Sequence, residues 1–395
     1  MQRSGRSHRT AAGLDILADD VSPLQGKRVA LLVNHTSVTS QLEYSWDILT
    51  ARGIEIKKIF SPEHGLFGTE QDQDPCSEQD GTGIPVISLY GSTIDSLTPH
   101  KDDLDNIDVL IYDIQDVGSR YYTYLNTMIY CMKRLSGTGT ELMVLDRPNP
   151  LNGINAEGPR LKKGYESFVG VAPVPVRHAM TAGEMALYAR DVFGYDLELT
   201  IIKMKGWERK CIFSDTGLPW VPPSPNMPTL STALVYPGMC LLEGTNISEG
   251  RGSTTPFELF GAPFLNADAV IEEFQKSSLE GCVLRKQFFK PTFNKFALTP
   301  CPGIYIHVTD LKRFRPFFFG VKLVEIMKRL HGEFAFTDDV YEFNDIHPAF
   351  DLLTGGCEIR EALEAGDNFT NESPWKTEEK EFLKERESFL LYHDN

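Results

Sequence analysis

Cysteine is scarce in this chain and follows no pattern. The seven residues (Cys76, Cys131, Cys211, Cys240, Cys282, Cys301 and Cys357) are widely spaced over 395 positions, with no CxxC pair. An odd, dispersed set argues against both a disulfide framework and a structural zinc site; reduced, partly buried thiols are expected. No apolar run is long enough to span a bilayer. Positive charge is also short: 39 Lys and Arg stand against 55 Asp and Glu, a formal net charge of −16. A general nucleic-acid binder needs clustered cations, so that class is set aside, while a local basic pocket for a small anionic ligand stays open. The first residues are basic but lack the apolar core of a secretory signal. No export signal is visible, and the expected compartment is the cytoplasm, or the periplasm or exterior if a leader has been removed.

Several cofactor motifs are missing as well. The first strand runs into "VNHTSVTS" and not into GxGxxG, which argues against NAD or FAD. There is no GxxxxGK[ST], no HExxH and no close histidine pair. Neither a metal nor another cofactor is expected. His35, Glu63, His64, Asp113, Asp116 and Asp146 are nevertheless ligand types near one another in the pattern, so a metal-dependent reading is weighed below.

What is present is a rhythm. The length and a hydrophobic content of 41% suit two domains, or one large domain with a substantial addition. Strand-like apolar runs in residues 27–37, 54–65, 84–91, 107–120 and 140–153 alternate with helical spacing at 43–54 and 122–136. That alternation predicts a Rossmann-like α/β domain with a mostly parallel sheet over 12–235. Residues 197–207 read as another strand and 220–230 as a proline-rich ordered loop. Residues 236–395 read as a smaller α+β auxiliary domain. It holds strand-like runs at 291–296 and 303–310, a helix at 319–330 and a charged amphipathic helix at 376–393.

Polar residues gather where the strands end. Asn34 and His35 follow the first, Glu63 and His64 the second, Gln115 and Asp116 the fourth, and Asp146 the fifth. In an open parallel sheet these ends share one edge, where ligands bind. Glu63 sits in "FSPEHGLFG", between a proline and a glycine. A glutamate on a tight loop beside apolar walls can serve as a general acid, against the plainer reading of a solvated turn. In "YDIQDVGSRYYTY", Asp116 and Arg120 read as functional. Tyr121 and its neighbours read equally well as a sugar-stacking platform or as core. Thr181 and Glu184 form a capping box, with Arg177 and His178 just before it. Asn226 lies in the proline-rich loop. The glycine-rich stretch "EGTNISEGRGSTTPFE" carries Glu243, Asn246, Glu249 and Arg251; its glycines permit close approach to a ligand, and Arg251 is a natural partner for a carboxylate.

Taken in order, "VNHTS", "FSPEHGLFG", "YDIQDVGSRYYTY", "LDRPNPLNG", "VRHAMTAGEMA", "PPSPNMPT" and "YPGMCLLEGTNISEGRGSTTPFE" resemble the exo-β-N-acetylmuramidase family, formerly a domain of unknown function, over nearly the whole chain. The resemblance implies a bacterial glycosidase with its site between a Rossmann-like domain and an auxiliary one. It implies release of terminal β-1,4-linked N-acetylmuramic acid from the non-reducing end of peptidoglycan fragments. It also implies that Glu63 is the catalytic residue. The second catalytic role stays open between Asp116, Glu249 and the substrate's own acetamido oxygen. Arg120, Arg177 and Arg251 are the candidate partners of the lactyl carboxylate. The rival readings are a non-catalytic sugar-binding protein and a metal-dependent ester or amide hydrolase on the same fold.

Overall fold

The structure is a computed structural model, and it describes residues 9–71, 73–75, 81–277, 279–369 and 374–393. Cys76 and the basic residues 1–8 lie outside the described residues. The other six cysteines are thiols.

Six parallel strands form the main sheet: β1 (Val29–Val33), β2 (Ile56–Ser61), β3 (Val86–Ser88), β4 (Val109–Asp113), β5 (Glu141–Leu145) and, after two further strands, β8 (Leu199–Ile202). Their order is β3-β2-β1-β4-β5-β8. Every residue of β1, β4 and β5 is buried, as expected where helices cover both faces of a parallel sheet. The chain builds outward from β1 in one direction and then from β4 in the other. The crevice between these two strands is therefore the switch point where such folds place ligands. Val33 and Asp113 are register partners, so the polar loops after β1 and β4 leave the sheet side by side.

The helices α1 (Gly13–Asp19), α2 (Ser45–Ala51), α3 (Thr123–Leu135) and α4 (Ala182–Phe193) belong to this half. The capping box expected at the start of α4 is present: Thr181 accepts from the Glu184 N–H, and Glu184 accepts from the Thr181 N–H. β6 (Glu157–Arg160) and β7 (Pro175–Arg177) form a separate antiparallel pair.

The second half is a smaller α+β unit. It contains the antiparallel sheet of β9 (Leu259–Gly261), β10 (Cys282–Phe289) and β11 (Cys301–Val308), in the order β10-β11-β9. One sequence expectation fails here. Residues 291–296 are not a strand; Asn294 and Phe296 take positive φ in a turn, and the strand lies earlier, at β10. The helices are α5 (Leu230–Met239), α6 (Ala267–Gln275), α7 (Pro316–Leu330), α8 (Ala349–Thr354), α9 (Glu358–Ala365) and α10 (Lys376–Glu385).

α5 crosses α7 so closely that a Cβ on Gly238 would sit 1.9 Å from the Pro316 carbonyl oxygen, and one on Gly320 would sit 2.3 Å from that of Gly238. Only glycine permits this crossing. The C-terminal segment then returns to the first half: Glu379 accepts from the Gly158 N–H at 3.0 Å, and the Tyr392 hydroxyl donates to Asp146 at 2.6 Å.

Candidate active site

β2 delivers Glu63. The strand becomes fully buried at Ile59, Phe60 and Ser61, and Pro62 then removes a backbone donor and ends it. His64 follows at φ 69°, a left-handed conformation uncommon for a residue with a Cβ. Its Nδ1 bonds the Glu70 carbonyl at 2.9 Å, which fixes the turn. Gly68, at φ 65°, lets this turn meet the loop after β1: a Cβ there would fall 2.2 Å from the His35 ring. His35 in turn bonds the Pro222 carbonyl through Nε2 at 2.6 Å and so anchors the proline-rich loop. Glu63 itself is 3% exposed. Its Oε2 accepts from the Thr123 hydroxyl at 2.6 Å, at the first residue of α3.

Glu63 opens onto a narrow cleft between the two halves. From the first half it is lined by His64, Tyr121, Tyr122, Thr123, Ser224, Asn226 and Met227. From the second half come Tyr236, Glu243, Arg251, Phe257, Tyr341 and Glu342. The tyrosines brace one another: Tyr122 meets Tyr236 edge-on at 5.7 Å, and Tyr121 meets it at 5.6 Å. Burial pushes the Tyr122 phenol well up; a Ser224 hydrogen bond opposes this, and the charges of Asp116 and Glu63 add to it. Both carboxylates therefore act on one phenol. Asn226 donates to the Gln71 side chain at 2.9 Å across the mouth.

The wall from the second half is ionic. Arg251 lies 2.9 Å from Glu243 and 3.6 Å from Glu249, with its guanidinium 5.1 Å above the Phe257 ring. The Tyr341 hydroxyl donates to Glu243 at 2.5 Å, and Lys295 reaches Glu249 at 3.1 Å. Burial opposes ionisation of Glu249, but the Lys295 and Arg251 charges outweigh it and hold its pKa low. Glu249 is not part of the cleft beside Glu63; it lines the adjoining cavity that shares Glu243, Arg251 and Tyr341.

Most of the remaining candidates build the edge and do not face the cleft. Asp116 accepts from the Gly118 N–H at 2.5 Å and stands 3.8 Å from the fully buried His178, shaping its own turn. Asn34 accepts from the backbone and the hydroxyl of Thr36. Gln115 donates to the carbonyls of Asp116 and Pro148. Asp146 accepts from Thr181, Gly183 and Tyr392; burial still pushes its carboxyl up to about 6. Arg120 donates to the carbonyls of Pro159, Val174 and Leu353, and Arg177 to that of Leu151. Asn246 pairs with the backbone of Glu333 and Ala335. Of the residues singled out from sequence, Glu63, His64, Tyr121, Asn226, Glu243 and Arg251 are brought together around the cleft.

Thr123, Ser224, Tyr236, Phe257, Tyr341 and Glu342 were not anticipated. The first four lie inside or beside the quoted motifs and differ from core residues only by where they point. Tyr341 and Glu342 lie in "VYEFND", which carries no glycine, proline or recognisable pattern.

Known proteins resemble this chain over nearly its whole length. The family description "Exo-beta-N-acetylmuramidase NamZ, N-terminal" matches residues 29–231, and its C-terminal counterpart matches residues 234–392. The chain is 41% identical over 395 residues to the peptidoglycan beta-N-acetylmuramidase NamZ of Bacillus subtilis (strain 168), covering 99% of this chain and 93% of that protein. A crystal structure of a DUF1343 family protein from Bacteroides fragilis superposes with a TM-score of 0.86 at 30% identity, covering 98% of this chain and 100% of that one. A second DUF1343 structure from the same organism gives a TM-score of 0.74 at 29% identity, covering 98% and 99%.

Proposed function

The chain belongs to the exo-β-N-acetylmuramidase NamZ family, and from that membership we propose that it releases terminal β-1,4-linked N-acetylmuramic acid from the non-reducing end of peptidoglycan fragments. It is a glycosidase, and residues 12–235 form its catalytic domain, with 236–395 closing the cleft.

The single observation that carries this reading is Glu63, buried at the end of β2 in a cleft walled by both halves. Glycoside hydrolysis needs an acid to protonate the leaving oxygen. Thr123 occupies Oε2 as a donor, so the transferable proton of Glu63 belongs on Oε1. As the bond from the anomeric carbon to the leaving oxygen breaks, that proton passes to the oxygen. The aromatic walls from Tyr121, Tyr122, Tyr236 and Phe257 supply flat, partly polar surface for a sugar. Arg251 is the lactyl-carboxylate partner. Of the three arginines raised from sequence it is the one that lines the cleft, whereas Arg120 and Arg177 are bound to backbone carbonyls.

The test is Glu63→Gln on a chromogenic N-acetylmuramic acid glycoside. General acid catalysis contributes ~10²–10⁴-fold, so the variant should fold normally and lose nearly all turnover. A variant keeping more than about a tenth of the wild-type rate, well outside that range, would remove Glu63 from the role. Saccharide binding by a wild-type protein that never turns over would favour the non-catalytic reading.

A further inference from the structure

Three glutamates line the cleft: Glu63, Glu243 and Glu342. Glu243 is already held by Arg251 and Tyr341. Asp116 accepts from the Gly118 N–H through Oδ2 and does not line this cleft, and Glu249 sits in the adjoining cavity on Lys295. Glu342 is the third, and the backbone beneath it is unusual.

Tyr341 and Asn344 exchange both backbone hydrogen bonds, at 3.0 and 2.9 Å, around a two-residue loop. The loop residues Glu342 and Phe343 have φ of 47° and 63°. A turn with both central residues left-handed favours Asn-Gly, because other side chains strain it. Here the positions carry glutamate and phenylalanine. Backbone strain of this kind survives where the surroundings over-determine it, and it collects at functional sites. The surroundings do so here. The Tyr90 hydroxyl, just beyond β3 in the first half, donates to Glu342 Oε2 at 2.9 Å. The Phe343 ring meets Tyr90 edge-on at 5.5 Å. Glu342 is 5% exposed. The fold thus holds one carboxylate at the cleft against local preference, on a tether that reaches across from the other half.

We infer that Glu342 is the second catalytic carboxylate, the base that takes a proton from the attacking water; this rests on the hydrolase reading and on Glu63 as acid. The water oxygen bonds the anomeric carbon while the bond to the leaving oxygen breaks and its electron pair stays on that oxygen. Glu63 gives its proton to the leaving oxygen, and Glu342 receives the proton of the water. Glu63 ends as carboxylate and Glu342 as carboxylic acid, and exchange with solvent restores both. Direct attack by water inverts the anomeric carbon, so a β-glycoside yields the α-sugar first.

The experiment compares wild type, Glu342→Gln and Glu63→Gln on two aryl β-N-acetylmuramides, one with a poor and one with an activated leaving group. Loss of an acid matters only when the leaving group needs protonation; loss of a base matters for both. Glu342→Gln should lose ~10²–10⁴-fold in kcat on both substrates, while Glu63→Gln recovers on the activated one. Proton NMR of the wild-type reaction should show the α-product first. Tyr90→Phe, which leaves the turn sequence intact, covers the case where Glu342 variants fail to fold. It should lower kcat with KM unchanged and move the acidic limb of the pH–rate profile upward. Overturning results are a first-formed β-product, a Glu342→Gln rate within tenfold of wild type, or a loss confined to KM. A wild type that turns over neither substrate overturns the hydrolase reading and this one with it; an active wild type matched by Glu342→Gln overturns this one alone.

Discussion

Arg251 is the residue at which a structural role and a recognition role are hardest to separate, and the separation can be designed. It is 7% exposed and serves two buried carboxylates, Glu243 at 2.9 Å and Glu249 at 3.6 Å. Arg251→Met takes its charge away from both acids, while Lys295 still reaches Glu249 at 3.1 Å. Breaking a buried pair from one side costs about 3–5 kcal/mol, chiefly because the orphaned charge stays buried. The double variant Glu243→Gln with Arg251→Met removes that orphan, so most of the stability should return. Recognition behaves differently. A charge-assisted hydrogen bond to the lactyl carboxylate contributes about 1.5–3 kcal/mol, which is roughly 10- to 100-fold in kcat/KM. N-acetylglucosamine lacks that group and should not feel the loss. The assay is kcat/KM on matched aryl glycosides of the two sugars, with urea unfolding in parallel. Both variants should lose the muramic substrate preferentially, and only the double variant should regain stability. Equal losses on both sugars in the restabilised double variant would refute the recognition role and leave Arg251 as a clamp on the loop.

Among the described residues no group of three or more His, Cys, Asp or Glu is placed to hold a metal ion, so exhaustive chelation should leave the rate unchanged; activity lost and then restored by one divalent ion would make His35, His64 and Asp116 ligands. Burial raises the Glu157 carboxyl from 4.5 to about 7, with the Arg315 charge and the Phe318 N–H opposing. The folded state therefore keeps a proton that the unfolded chain has lost. The contribution is fully present below about pH 4.5 and is lost as pH rises through about 7, a swing of about 3 kcal/mol. Urea midpoints near pH 4 and pH 8 should differ by correspondingly less in Glu157→Gln, and an unchanged difference would refute the assignment.

How far the sequence reaches can be argued residue by residue. β1, β4 and β5 are readable because central parallel strands are apolar throughout, and their polar ends mark one edge of the sheet. α5 is not readable: Pro237 and Gly238 lie inside it, and helix propensity rejects both, yet packing against α7 requires that glycine. The run at 291–296 reads as strand-like, while the strand itself, β10, leaves the apolar Val283 and Phe288 exposed. The site shows the same division more sharply. Glu63 was legible because a strand end, a proline and a motif coincide. Asp116, Asp146, Arg120 and Arg177 also read as functional, but each makes hydrogen bonds to neighbouring backbone and none lines the cleft beside Glu63. Sequence gives the type of a polar group at an edge and not the direction of its bonds. Glu342 is the converse case. Its placement depends on a left-handed glutamate and a tyrosine hydroxyl some 250 positions away, at separation 252. No local pattern encodes either one. Strain is visible only where a rule for turns is seen broken in three dimensions, and the break itself is then the signal that points to function.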